Sequence, residues 1–182
     1  MHAFLKIVIF CLALITAAIA DVFAQADQSA KTDLPNYCEC SNDYLDIDSS
    51  ELLSPGEKVL KTGFIMTQVN KTVVKGSCWD FVNQVYRSAN IAELKKTIFR
   101  SKKSGPYAPS TLVQPGDWIY HINHQYNNIE HSAIFVCWKD FEKKIAITLS
   151  YAGMNRSVPG KYGEYNLESI YSIFRPIDSN TK

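Results

Sequence analysis

The sequence has little surplus charge, few residues that break secondary structure, and no long apolar run beyond its N-terminus. Of its 182 residues, 19 are Lys or Arg and 18 are Asp or Glu, which gives a formal net charge of +1. This balance excludes nucleic-acid binding through a broad basic field, since no surplus cations are available to neutralise phosphates. Eight Gly and seven Pro leave no room for a long linker. A hydrophobic share of 46% excludes a disordered or collagen-like chain and suits one globular domain.

The first 26 residues have the pattern of a secretory signal. A lysine precedes the apolar run 7–15, and Ala24-Gln25-Ala26 supplies the small-x-small motif that a signal peptidase recognises. Asp21 interrupts the run before it reaches the roughly 20 apolar residues that a membrane anchor needs. We therefore predict a signal peptide over 1–26, with cleavage after Ala20 as the alternative. The mature protein is expected to be exported, periplasmic or secreted, with no stable membrane anchor.

Composition along the remaining chain predicts an extension, one domain and a tail. Residues 27–54 are polar, then acidic and irregular, and we interpret them as an N-terminal extension. Ser54-Pro55-Gly56-Glu57 is a typical helix start, because Ser can cap the helix, Pro fits its first turn and Glu can reach back to the cap. We place the domain at 55–176 and a C-terminal tail at 177–182.

The first half of this domain is predicted to be helical. Ser77-Cys78-Trp79-Asp80 is a capped helix start with an acidic residue at its third position. Apolar side chains then recur at helical spacing on one face: Cys78, Phe81, Val82, Val85, Tyr86 and Ala89. A second amphipathic stretch follows at 91–99.

The second half has the pattern of antiparallel strands. The turn Gln114-Pro115-Gly116-Asp117 opens it, and the polar stretch 121–130 is predicted to be a loop. Strand-length apolar runs lie at 118–120, 132–138, 145–151 and 170–176. Helices followed by strands predict an α+β fold, in which N-terminal helices pack on a C-terminal antiparallel sheet.

Export changes how the cysteines are interpreted. With Cys11 in the signal, Cys38, Cys40, Cys78 and Cys137 remain, and an even number in an oxidising compartment suggests disulfides. A domain of this length can nevertheless bury a sufficient core without them. Cys137 lies in an apolar run and is expected to be a small buried residue. Cys38 and Cys40 are too close for an easy mutual bridge. One of them could bridge elsewhere, or the pair could bind metal, although no second Cys/His pair completes a zinc pattern.

Cys78 stands where a nucleophile can be activated. The first turn of a helix has free N–H groups and a partial positive charge, and both stabilise a thiolate and lower the thiol pKa. The same N–H groups can receive the oxyanion that forms when a thiolate attacks a carbonyl. The alternative is a core cysteine on an amphipathic helix, and the local pattern does not separate the two.

A nucleophilic cysteine needs a general base, usually His. Beyond the predicted signal the chain has His121, His124 and His131. His131 directly precedes the strand at 132–138, so it is expected to be held rigidly, whereas the other two lie in the predicted loop and are expected to be solvated. With Glu130 the three could form a metallohydrolase site, but their spacings fit no common zinc pattern. We therefore expect no metal and no cofactor.

Three motifs, taken in order, resemble a known superfamily. They are Ser77–Val82 around the cysteine, Leu112–Ile119 with its Pro-Gly-Asp turn, and Glu130–Val136 around the histidine. Together they resemble the NlpC-type cell-wall cysteine peptidases and the related CHAP amidases over residues 55–175. The resemblance implies a compact papain-like α+β fold and hydrolysis of amide bonds in peptidoglycan peptides.

The resemblance also implies roles for single residues. Cys78 would be the nucleophile and His131 the base. The superfamily places a polar residue that orients the base on the following strand, where Ser150 is the nearest match and Asn155 the rival.

The sequence departs from the superfamily pattern around its cysteine. Ser77 stands where an Asp is usual, and Trp79-Asp80 stands where Ser-Gly is usual. The bulky Trp79 would narrow the site. The alternative function is therefore a catalytically inactive or divergent binding domain on the same fold.

Overall fold

The structure, a computed structural model, describes residues 53–151 and 157–178, and its helices precede most of its strands. The helical segments are α1 (Pro55–Phe64), a π-helical turn that continues it (Ile65–Val69), α2 (Cys78–Ser88) and a 3-10 turn (Ser110–Leu112). The strands are β1 (Lys95–Arg100), β2 (Trp118–Asn123), β3 (Ile129–Asp140), β4 (Ile145–Ser150), β5 (Lys161–Asn166) and β6 (Ile170–Pro176).

The six strands form one antiparallel sheet in the order β1-β6-β2-β3-β4-β5. The two α-helices come first in the chain and α2 lies against β3, so the predicted α+β class is confirmed. No helix in the described ranges has the length and apolar character needed to cross a membrane.

Both predicted helix starts are confirmed, and each is closed by a capping box. At α1 the Ser54 hydroxyl accepts from the backbone N–H of Glu57, whose carboxylate accepts in return from the Ser54 N–H at 2.8 Å. At α2 the same exchange joins Ser77 and Asp80. Each box satisfies N–H groups that the first turn of a helix leaves without a partner.

Two boundaries differ from the expectation. The amphipathic stretch at 91–99 is not helical, because Lys95–Arg100 forms the edge strand β1 and pairs with β6. The predicted loop 121–130 is strand at both ends: β2 continues to Asn123 and β3 begins at Ile129. In both places pairing with a neighbouring strand overrides the local pattern. The polar strand β5 carries little apolar signal and was not predicted.

The sheet is covered on both faces, and we call these the helix face and the far face. On the helix face, side chains of α2 pack against alternate residues of the central strands, including Trp118 and Ile134. On the far face a second cluster includes Ile119 and Ala133, the next residues along each strand. This alternation follows from the two-residue period of a strand, and it decides which polar side chains share a face.

The Pro-Gly-Asp turn joins parts of the chain that are distant in sequence. Tyr86 of α2 donates its hydroxyl proton to the Gly116 carbonyl at 2.6 Å. The Asp117 carboxylate is fully buried and accepts from the Arg175 guanidinium of β6 at 3.0 and 2.8 Å. Gly116 has φ +85°, and a Cβ there would lie 2.5 Å from the Cα of Gly56 in α1.

We expect Gly116→Ala to lower the free energy of unfolding by about 2–4 kcal/mol, because the new methyl group meets backbone and the positive φ disfavours a side chain. Urea denaturation measures the loss. Gly105→Ala is the matched control, since Gly105 has φ +94° but no atom nearer than 3.5 Å to its Cβ position. If both variants lose the same free energy of unfolding, the contact between Gly116 and α1 does not contribute to stability.

Candidate functional site

Cys78 is the first residue of α2, and its side chain is half-buried against the start of β3. It is the free cysteine among the described residues. The backbone N–H of Ser132 points to its sulfur. The sequence prediction of a cysteine at a capped helix start is therefore confirmed.

The pKa of the Cys78 thiol is not lowered, although its position at a helix start predicted that it would be. Burial raises the pKa of Cys78, and the nearby Glu130 carboxylate raises it further. Hydrogen bonds from the backbone N–H groups of Ser132 and of the helix start lower it, but by less. The expected fall of the thiol pKa is therefore wrong. Desolvation of the thiolate outweighs the favourable N–H groups of the first turn.

Aromatic side chains surround the thiol on the helix face. The ring of Trp79 lies 5.8 Å from that of Trp118, which stacks on Tyr120 at 5.9 Å. The Tyr120 ring in turn lies 6.0 Å from that of Tyr171. Trp79 also hydrogen-bonds the Tyr120 hydroxyl, whose pKa burial raises to about 12. Trp79 is still 45% exposed and lies at the outer side of this cluster, and the narrowing expected from the sequence stays a prediction.

Charged groups of both signs flank this cluster. The Glu130 carboxylate forms an ion pair with Lys103 at 2.6 Å and accepts a hydrogen bond from Tyr171. Burial would raise the pKa of Glu130, but these two partners hold it below its ordinary value. The Arg100 guanidinium lies 5.1 Å from the ring centre of Phe174. The site therefore presents a carboxylate and a guanidinium beside exposed aromatic surface.

His131 does not reach Cys78. It pairs across the β2–β3 ladder with His121, and both side chains project from the far face, whereas the adjacent Ser132 lies beside the thiol. The rings that contact His131 are those of His121 at 5.5 Å and Tyr165 at 5.3 Å between centroids. The predicted Cys78–His131 pair is corrected here: the sheet separates the two side chains, because residues next to each other on a strand point to opposite faces.

Ser150 lies with His131 rather than with the thiol. It is opposite Ala133 in the β3–β4 ladder, and its hydroxyl lies 3.5 Å from that of Tyr165. The role of Ser150 in orienting the histidine stays a prediction, and its hydroxyl contacts Tyr165 on the face away from Cys78. The rival, Asn155, lies outside the described residues, as do Cys38 and Cys40.

The other two histidines have contrasting environments. His124 is exposed, as expected, and its ring nitrogens contact Asn128 at 2.6 Å and Ser169 at 2.7 Å. His121 was expected to be solvated and is instead fully buried. Burial lowers the pKa of His121 to about 3, with the neighbouring histidines adding to the shift, and it lowers the pKa of His131 to about 4. Both imidazoles are therefore neutral near pH 7.

The metallohydrolase alternative finds no support in its residue set. Glu130 belongs to the helix face and His131 to the far face, so the four residues do not converge. No group of three His, Cys, Asp or Glu side chains that could hold a metal occurs in the described part of the chain.

Cys137 is buried, as expected from its apolar run. It packs in the helix-face core, and it is disulfide-bonded rather than a free apolar residue. Its partner lies outside the described residues. The even number of cysteines beyond the predicted signal suggested disulfides, but the apolar run around Cys137 did not indicate that this residue takes part in one.

Comparison with known proteins adds no assignment: no family model, curated protein or solved structure matches this chain.

We expect Cys78 to react slowly with iodoacetamide at roughly pH 6 and to speed up only in alkaline solution, because its thiol pKa is raised. Glu130→Gln removes a neighbouring negative charge, so it should shift the rate profile to lower pH. Mass spectrometry of the alkylated peptide measures the rate at this cysteine.

The control for this experiment is His131→Gln, which removes a titrating ring on the opposite face. It should leave the profile of Cys78 unchanged. A marked loss of reactivity near neutral pH in this variant alone would restore the cysteine–histidine pair.

Acid should destabilise the protein through the buried histidines. Their folded-state pKa values lie below the ordinary 6.5, so between about pH 6.5 and 4 the unfolded chain binds more protons and stability falls as the pH falls. Each imidazole contributes about 1.4 kcal/mol per pH unit over that interval. As the pH falls, the urea concentration at the midpoint of unfolding should decrease less steeply for His131→Gln than for the parent. The exposed-histidine variant His124→Ala should behave as the parent does.

Proposed function

We propose that this protein is an exported, non-catalytic module that binds peptidoglycan peptides, on a papain-like form of the α+β fold resembling the NlpC and CHAP domains. The observation that carries the proposal is the placement of the histidine. Cys78 occupies the position of a nucleophile, but His131 and Ser150 project from the other face of the sheet. Without a base beside it, a thiol of raised pKa is a poor nucleophile near neutral pH.

The surroundings of Cys78 suit binding of a peptide that carries both amines and carboxylates. Glu130 offers a carboxylate to an ammonium group, and Tyr120 and Trp79 offer aromatic faces next to it, a combination that attracts cations. Arg100 lies on the same side of the cluster, through its contact with Phe174, and can pair with a carboxylate. Peptidoglycan peptides carry groups of both kinds.

A second candidate is the hydrolase implied by the resemblance. It is favoured by the free, half-buried thiol at a helix start, with the Ser132 N–H beside it as a donor for an oxyanion. In this candidate the base would have to come from a group other than His131.

One experiment separates the two. The mature protein is incubated with purified sacculi, the pelleted fraction is quantified, and released fragments are identified by mass spectrometry. Binding without fragments is expected, and Cys78→Ala should bind as the parent does. Trp79→Ala should bind about tenfold more weakly, because an exposed aromatic wall of the site is lost.

The matched control is Tyr126→Ala, since Tyr126 is 62% exposed and lies in the turn between β2 and β3. It should bind normally. Fragments released by the parent and absent with Cys78→Ala would overturn the binding proposal and establish the hydrolase. If the parent protein neither pellets with the sacculi nor releases fragments, both candidates are refuted.

A further inference from the structure

On the far face of the sheet, some buried polar atoms have no hydrogen-bond partner among the residues that the structure describes. His121 is fully buried, and neither of its ring nitrogens has a hydrogen-bond partner among the described residues; the same holds for Nε2 of His131. A neutral imidazole has one donor and one acceptor nitrogen. Buried polar atoms are nearly always satisfied in folded proteins, so a group outside the described chain is expected to meet these nitrogens.

The two rings are spaced as if they shared one small partner. Their centroids are 5.5 Å apart with an angle of 87° between the ring planes. Two imidazoles on a tetrahedral ion, with metal–nitrogen distances of about 2.0–2.1 Å, have centroids roughly 5 to 6 Å apart. The pair is also held firmly, because His121 and His131 face each other directly in the β2–β3 ladder.

A third side chain completes a triangle. The Tyr165 ring lies 5.6 Å from that of His121 and 5.3 Å from that of His131. Its hydroxyl lies 3.5 Å from that of Ser150, so oxygen atoms are present on the same face as the imidazoles. Tyr165 is only half-buried, which gives this cluster an approach from solvent.

We propose that His121 and His131 bind a divalent first-row transition metal ion, such as Zn²⁺, with the Tyr165 oxygen as a third ligand. Imidazole nitrogen selects such ions over Ca²⁺ and Mg²⁺, which prefer oxygen. On binding, the phenol releases its proton to solvent, and the phenolate offsets one of the two positive charges.

The test uses the untagged, metal-free full chain and titrates it with Zn²⁺ in a calorimeter. One ion per chain is expected. His121→Ala should weaken binding at least about tenfold, and Tyr165→Phe, which keeps the ring and removes the oxygen, should weaken it by a similar factor. His124→Ala is the matched control, because His124 is exposed and satisfied by Asn128 and Ser169.

A readout on the unaltered protein covers the case in which His121→Ala fails to fold. Zn²⁺ should shift the ¹⁵N NMR signals of the ring nitrogens of His121 and His131 and leave those of His124 in place. No saturable binding by the parent chain would overturn the proposal. Shifts confined to His124, or full affinity in folded Tyr165→Phe and His121→Ala, would overturn it as well.

Discussion

The register between β2 and β3 decides which side chains lie on the helix face of the sheet and which lie on the far face. Trp118 lies opposite Ile134, and from there each step along the ladder alternates between the helix face and the far face. The register therefore brings Ser132 and Glu130 towards Cys78, and it turns His131 towards His121. A slip of one residue would exchange these two sets, because the side-chain period of a strand is two.

The two faces of the sheet carry different kinds of reactive and polar side chains. The helix face combines a half-buried thiol of raised pKa with aromatic rings and charged side chains. The far face combines two neutral imidazoles with hydroxyl groups in an apolar setting. In a papain-like enzyme one surface would hold both the thiol and the imidazole. Here the sheet divides them, and each retains a chemistry of its own.

The sequence was informative where a signal is local. Both capping boxes, the α2 stripe and the apolar strands carry short-range patterns, so the helix starts and the α+β class could be predicted from them. The end of β2 could not, because its last residues are polar and become strand only by pairing with β3 and β6. The position of His131 failed for a related reason. His131 was expected to precede the strand and instead lies within β3, and which face it uses depends on a register that the sequence does not specify. The His121–His131 pair has no recognisable spacing, since its partners meet only across the ladder.

The turn at Gly116 and Asp117 has a consequence for how the protein opens. Through it, α1, α2 and β6 meet at one point, by backbone contact with Gly56, the Tyr86 hydroxyl and the Arg175 guanidinium. None of these partners is a sequence neighbour of the turn, so its contacts form only after most of the domain has assembled. Amide protons in α1 and β6 are accordingly expected to exchange with solvent in one cooperative event rather than by separate fraying. A sheet whose inner strand β6 is joined to both α-helices in this way is expected to unfold as a single unit.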